Sequence, residues 1–223
     1  MTKVIYLPLD EWPCNYLYPK LLAEITDLEL IVPDKVILGN KKQPADFNNV
    51  KSWIMENVSG ADYLIVSIDM LVYGGIVPSR IHNLPIEDSE KRLSLLHNIK
   101  EENPSIKIFG FNLITRTPSY NNNDEEPDYY ETYGSRIFNY GRLTDKQIKE
   151  GLGEKEQVEL KVIKKGLPAY VLADFLNRRN VNHQINQLAI NYVENEIIDH
   201  MVIPLDDHSP YETFGHDDID IYV

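Results

Sequence analysis

Short apolar runs alternate with longer amphipathic segments through the first half of this chain. The apolar runs are rich in β-branched residues, and five of them predict strands at 3–9, 29–32, 63–68, 107–113 and 201–205. Segments with apolar residues at helical spacing predict helices at 17–25, 44–58 and 88–104. Strands that alternate with helices are typical of right-handed βαβ units and a parallel sheet.

The predicted fold class is therefore α/β, with a mostly parallel central sheet of about five strands flanked by helices. An open sheet of the Rossmann or flavodoxin type is preferred, because the predicted strands fall short of the eight that close a barrel. Part of a (β/α) barrel is the alternative, since five parallel strands fit either arrangement. Both folds bind ligands at the carboxyl ends of the strands.

The second half of the chain has a different pattern of polar and apolar residues. Residues 115–142 are polar and aromatic, contain two prolines and show no clear period, which predicts a long ordered loop. This loop is expected to cover the acidic edge described below, because tyrosines with polar tips suit a sugar-binding surface. Residues 144–195 predict a helical crossover that leads into the last strand. We interpret residues 1–223 as a single α/β domain.

Composition narrows the possible partners and the compartment. The 35 acidic residues outnumber the 22 Lys and Arg, and the formal net charge of -13 argues against a nucleic-acid partner. The single Cys14 excludes an internal disulfide framework. The amino terminus has no signal-peptide pattern, and no apolar run approaches the roughly 20 residues that a membrane helix needs. The sequence predicts a cytoplasmic protein with no membrane partner.

Three predicted strands end in an acid. The strings "YLPLDE" and "IPLDD" lead into Asp10 and Asp206, and "LIVSID" leads into Asp69. Glu11 and Asp207 follow directly. Because parallel strands bring their carboxyl ends to one edge, we expect these carboxylates to gather there. The alternative is that each caps a helix or forms a turn, which is common for Asp just after a strand.

The segment "SIDMLVYGGIVPSR" carries the most chemistry. Gly74 and Gly75 follow Tyr73 and could let the backbone approach a ligand closely, or form a tight turn. The segment lacks the third glycine of a dinucleotide-binding fingerprint. Arg80 and Arg116 each stand just past a predicted strand, where arginine can bind a ligand carboxylate or phosphate, or neutralise the acids of the protein.

Five strings together resemble a known family. They are "YLPLDEWPCNYLYP", "SIDMLVYGGIVPSR", "RTPSYNNNDEEPDYYETYG", "DFLNRRNVNHQIN" and "IPLDDHSPY", and in this order they resemble the amino-terminal part of the bacterial family called domain of unknown function 4127. The resemblance implies a shared fold and site but no established activity. Members with these motifs are longer, which implies that a further carboxyl-terminal region belongs with this one.

Two functions remain open. The favoured one is a hydrolase for a sugar or another small polar metabolite, with Asp69 and Asp206 or Asp207 as the catalytic carboxylates. The residues expected to bind substrate are Asp10, Glu11, Tyr73, Gly74, Gly75, Arg80, Arg116, Tyr120 and Glu126. No metal ligand is assigned, but a variant with Mg, Mn or Ca held by the acids is compatible with their oxygen ligands. The alternative is a non-catalytic binding or sensor domain for an anionic metabolite.

Overall fold

A five-stranded parallel sheet forms the centre of the structure. This computed structural model describes residues 1–206 and 210–211. Its strands are β1 (Thr2–Leu7), β2 (Leu28–Ile31), β3 (Tyr63–Ser67), β4 (Lys107–Phe111) and β5 (His200–Val202). They are ordered β2-β1-β3-β4-β5, and each neighbouring pair is parallel. The predicted α/β class with an open sheet is confirmed, and the order is that of flavodoxin-like folds.

The helices lie between and after the strands. Those among the described residues are α1 (Pro13–Glu24), α2 (Phe47–Asn57), α3 (Ile68–Tyr73), α4 (Ile76–Ile81), α5 (Ile86–Leu93), α6 (Leu95–Glu102), α7 (Tyr130–Lys149), α8 (Glu154–Gly166) and α9 (Ala169–Glu194). The predicted helix 88–104 is observed as α5 and α6, with a break at Ser94. Within 1–206 and 210–211, no helix is both long and apolar enough to cross a membrane.

The main hydrophobic core lies against the sheet. Ile5 and Leu64, on the paired strands β1 and β3, have no exposed surface. On α2, Val50 and Ile54 are also fully buried, which follows from their spacing of four residues on one helical face. Burial of each such side chain stabilises the fold by about 1.5–3 kcal/mol. Periodic apolar positions thus fix both the strands and the helices that cover them.

The chain divides into two compact units. Unit 1 consists of residues 1–112 and 184–204 and contains the sheet. Unit 2 consists of 113–183 and the chain from Leu205, and it contains α7, α8 and the first part of α9. A second hydrophobic core lies in unit 2, built around the fully buried Tyr130 and Ile137. The single-domain organisation stays a prediction, because this division describes packing and not independent folding.

The prediction of a loop over 115–142 is wrong for its second half. Helix α7 begins at Tyr130, so residues 130–142 are helical. Tyr130 and Ile137 lie seven residues apart on one face, and Gly134 lies between them where the Tyr120 carbonyl packs closely. The tyrosines that suggested a surface loop are partly core residues. The predicted helical segment 144–195 contains α8 and α9.

Candidate functional site

The strand order places a crevice at the carboxyl ends of β1 and β3. The chain leaves β1 toward β2 on one side, and it leaves β3 toward β4 on the other. In sheets of this order, ligands bind at the point where the order reverses. Asp10 follows β1 by three residues, and Asp69 follows β3 by two. Unit 1 therefore has its candidate site at this edge.

Asp69 is held in the interior of unit 1. It is 2% exposed and stands in the first turn of α3, where the Ser67 hydroxyl accepts a hydrogen bond from the Met70 N–H at 3.1 Å. The side-chain amide of Asn112 donates to Asp69 Oδ2 at 3.2 Å. Asn112 comes directly after β4, the neighbour of β3, and is 1% exposed. The carboxyl group thus has a fixed position beside a buried amide.

Two polar atoms near Asp69 lack a hydrogen-bond partner among the described residues. They are the hydroxyl of Tyr73 and Oδ1 of Asn112, and both are buried. Burial raises the pKa of Tyr73 well above its usual value, and the charge of Asp69 raises it further. The phenol therefore stays protonated and is a potential donor. Buried polar groups without partners are rare in folded proteins, and a bound polar ligand is one explanation.

The glycines after Tyr73 close α3 and allow close packing. Gly74 has a φ of 87°, and its N–H donates to the Met70 carbonyl at 3.0 Å. A Cβ at this position would lie 2.7 Å from the Ala45 backbone nitrogen. Gly75 has a φ of 131°, which other residues rarely adopt. Turn geometry and packing therefore account for both glycines.

Arg80 brings a permanent positive charge into unit 1. It lies on α4 and is 5% exposed, on the same chain segment as Asp69 and Tyr73. Its burial makes it part of the interior of unit 1.

Asp10 and Glu11 organise the loop after β1. Asp10 is 5% exposed, and its Oδ1 accepts from the Trp12 N–H at 2.9 Å and from the Asn15 amide at 3.0 Å. Burial, together with the charges of Asp10 and Cys14, raises the pKa of Tyr6 to about 12. Glu11 accepts from the Lys41 N–H at 3.0 Å. These bonds give both acids a structural role at the start of α1.

The remaining predicted site residues belong to unit 2. Arg116 Nε lies 4.0 Å from Asp206 Oδ2, and Arg116 Nη2 donates to the Tyr120 hydroxyl at 3.4 Å. Glu126 is 3% exposed. Asp207 lies outside the described residues. That Asp206 shares one edge with Asp69 stays a prediction.

Two residues that the sequence did not indicate help to position Asp69 and Arg116. Asn112 lies within the predicted strand 107–113, but the observed β4 ends at Phe111, so Asn112 follows it directly. Arg179, on α9, donates to the carbonyls of Thr115 and Arg116 and thereby holds the backbone that carries Arg116. No sequence signal indicated Asn112, because the predicted strand extends to Leu113. The partner of Arg179 is 63 positions away in sequence, and local patterns do not reveal such a pair.

Several acidic residues are close to each other in the chain, which raises the question of a metal centre. In the part of the chain that the structure describes, no group of three or more His, Cys, Asp and Glu side chains is placed to hold a metal ion. The oxygen groups around Asp69 instead come from an amide and a phenol.

Comparison with known proteins identifies the family. No curated protein matches this chain. A solved structure described as an aminotransferase from Anaerococcus prevotii DSM 20548 aligns at 12% identity, over 89% of this chain and 49% of that one. This chain thus spans about half the length of that structure, and the TM-score of 0.32 is too low to support an argument about fold or function. The family described as "Protein of unknown function (DUF4127)" matches residues 4–220, almost the whole chain. The chain therefore belongs to the DUF4127 family.

Proposed function

We propose that this protein is a hydrolase for a sugar-like or other small polar substrate, with Asp69 as a catalytic carboxyl group. One observation carries the proposal: Asp69 is buried at the switch point of the sheet, near the Tyr73 hydroxyl and Asn112 Oδ1, which lack a partner among the described residues. A buried carboxyl group at a ligand-binding edge is a candidate for catalysis.

The two unpartnered atoms have complementary chemistry. The Tyr73 hydroxyl can donate a hydrogen bond, and Asn112 Oδ1 can accept one. A sugar hydroxyl both donates and accepts, so a polyhydroxylated substrate could satisfy both atoms while it lies against Asp69. In this proposal Asn112 also positions the carboxyl group through its amide, which donates at 3.2 Å.

Hydrolysis of a glycosidic bond needs a second carboxyl group. We propose Asp206 or Asp207 for this role; Arg116 Nε lies 4.0 Å from Asp206 Oδ2. Mg, Mn or Ca bound to these oxygens is the metal-assisted variant of the same proposal. Asp10 and Glu11 support the site by ordering the loop after β1.

The test is the turnover of p-nitrophenyl glycosides, with and without divalent metal, by the wild type and by Asp69→Asn. Loss of an acid–base group predicts a fall in kcat of about 100- to 10,000-fold with a small change in KM. Asp27→Asn, at an exposed turn between α1 and β2, is the matched control and should keep full activity.

Two results would reject the hydrolase. One is unchanged kcat in Asp69→Asn. The other is saturable binding of sugars or anionic metabolites by the wild type without any turnover, which would favour the non-catalytic binding or sensor domain instead.

A further inference from the structure

Unit 1 contains a second cavity that the proposed catalytic site does not use. Its volume is about 570 Å³, within the range of small-molecule pockets. Its lining residues include Lys42, Asp46, Phe47, His82, Leu84 and Arg92. Of the residues described above around Asp69, Tyr73 also lines this cavity.

The walls of the cavity are largely apolar and aromatic. Phe47 and Leu84 contribute apolar surface, together with two prolines. The rings of Tyr73 and His82 are stacked, with centroids 4.4 Å apart and planes inclined by 20°. The Leu84 N–H donates to His82 Nδ1 at 3.2 Å, which fixes the ring and leaves the hydrogen of a neutral imidazole on Nε2. A flat, ordered surface results.

Positive charge faces this apolar surface. Arg92 donates from Nη1 to the Val72 carbonyl at 2.7 Å, and its guanidinium lies 5.2 Å from the centre of the Phe47 ring. The side chain is thus held in place before any ligand binds, which lowers the entropic cost of binding. Burial lowers the pKa of Arg92, and the charges of Asp88 and Asp46 oppose that change.

The cavity differs in charge from the rest of the protein. Among the described residues that line it, Lys42 and Arg92 are cationic and Asp46 is acidic. Asp46 caps α2, where its Oδ1 accepts from the Asn49 N–H at 3.0 Å. The lining thus carries an excess of positive charge in a chain whose formal net charge is -13. An anion that the protein surface repels in general would be favoured here.

We propose that this cavity binds a small organic anion. Its carboxylate or phosphate contacts Arg92 and Lys42, and its flat apolar body packs on Phe47, Leu84 and the Tyr73–His82 pair. This goes beyond the proposed hydrolase, because Lys42, His82 and Arg92 have no part in that site.

Calorimetric titration with four probes tests the proposal. Phenyl phosphate and benzoate carry the anion on a flat ring, phenol lacks the charge, and benzylamine reverses it. We expect one or both anions to bind, and phenol and benzylamine to bind at least about tenfold more weakly. The ratio of the two anion affinities then distinguishes a phosphate from a carboxylate ligand. Equal affinity for all four probes, or no binding of either anion, would overturn the proposal.

Variants locate the binding. Arg92→Gln should weaken anion binding about 10- to 100-fold, and Lys42→Gln about two- to fivefold, because a half-buried lysine contributes less. Lys91→Gln, an exposed neighbour on α5 outside the lining, is the matched control. Leu84→Trp fills the cavity without a change of charge and should abolish binding. If Arg92→Gln unfolds, Lys42→Gln and Leu84→Trp still decide, since wild-type affinity in both would place the anion elsewhere.

Discussion

Asp199 fastens the last strand to the sheet, and its replacement by asparagine tests how much that attachment contributes to stability. The residue precedes β5. Its Oδ2 accepts from Lys100 Nζ at 2.8 Å and from the Ile108 N–H at 2.9 Å, and its Oδ1 accepts from Lys107 Nζ at 2.8 Å. Asp199→Asn keeps an oxygen for the backbone amide but removes the charge that two lysines share. We predict a less stable fold.

The size of the effect follows from the pKa of Asp199. Burial raises it, but hydrogen bonds from Lys100, Lys107 and Ile108 outweigh burial and lower it from 3.8 to about 2. At about 1.4 kcal/mol per pH unit this difference corresponds to roughly 2 kcal/mol. The Asp199 side chain is 18% exposed and that of Lys107 is 57% exposed. Screening by solvent therefore reduces the expected contribution to about 1–2 kcal/mol.

The sign of the pH dependence follows from the same values. The folded state has the lower pKa, so the ionised carboxylate stabilises it fully above about pH 4. This contribution is lost as the pH falls from 3.8 toward 2. The free energy of unfolding of Asp199→Asn should lie below that of the wild type at pH 7, and the two should converge at acidic pH.

Urea unfolding followed by circular dichroism measures the difference. We expect a lower midpoint at pH 7 with an unchanged m-value, a smaller gap in 1 M NaCl, and no change for the exposed Asp27→Asn. The carboxyl edge should be unaffected, because Asp199 lies at the amino ends of β4 and β5. If Asp199→Asn unfolds at the wild-type midpoint, the ion pairs contribute nothing and the reasoning is wrong.

Two further substitutions test other features of the fold. Gly74→Ala should lower the free energy of unfolding by more than about 2 kcal/mol, because it adds a Cβ 2.7 Å from the Ala45 nitrogen to a backbone with φ of 87°. Gly60→Ala, with φ of 69° and open space around it, should cost about 1 kcal/mol. Equal urea midpoints for the two variants would contradict this. Tyr129→Phe should lower stability by about 1–2 kcal/mol, since the hydroxyl donates to Asp174 Oδ2 at 2.8 Å, and wild-type thermal unfolding would show that this bond is dispensable.

Apolar periodicity was sufficient for the sheet and its helices. The run around Val4 and the spacing of Val50 and Ile54 predict elements that the structure contains, because burial of those side chains dominates their stability. Helix α7 was not predicted, because tyrosines form much of its buried face. Tyr130 is fully buried, yet tyrosine also serves on polar surfaces, so the pattern is ambiguous.

The places of Asp10 and Asp69 after neighbouring strands were predictable, but their roles were not. Acids after strands indicated the carboxyl edge, and Asp10 and Asp69 do follow neighbouring parallel strands there. The role of each acid depends on its hydrogen bonds, and the spacing of residues in the sequence does not reveal these. Asp10 is held by its own loop, through Trp12, whereas Asp69 meets the amide of Asn112, 43 positions away in sequence. Such contacts appear only when the chain is folded.

The position of β5 in the sequence affects the risk that the protein aggregates during synthesis. Its partner β4 ends at Phe111, but β5 begins at His200. During synthesis the outer edge of β4 therefore has no β5 to pair with until residues 112–199 have been made. An uncovered strand edge presents free N–H and C=O groups that pair readily with other chains. A chain cut or stalled within that stretch would retain four of the strands and be prone to aggregate through β4. Asp199 holds the short strand β5 against β4. Its contacts would therefore also help to decide when the β4 edge is covered and the nascent sheet is protected from aggregation.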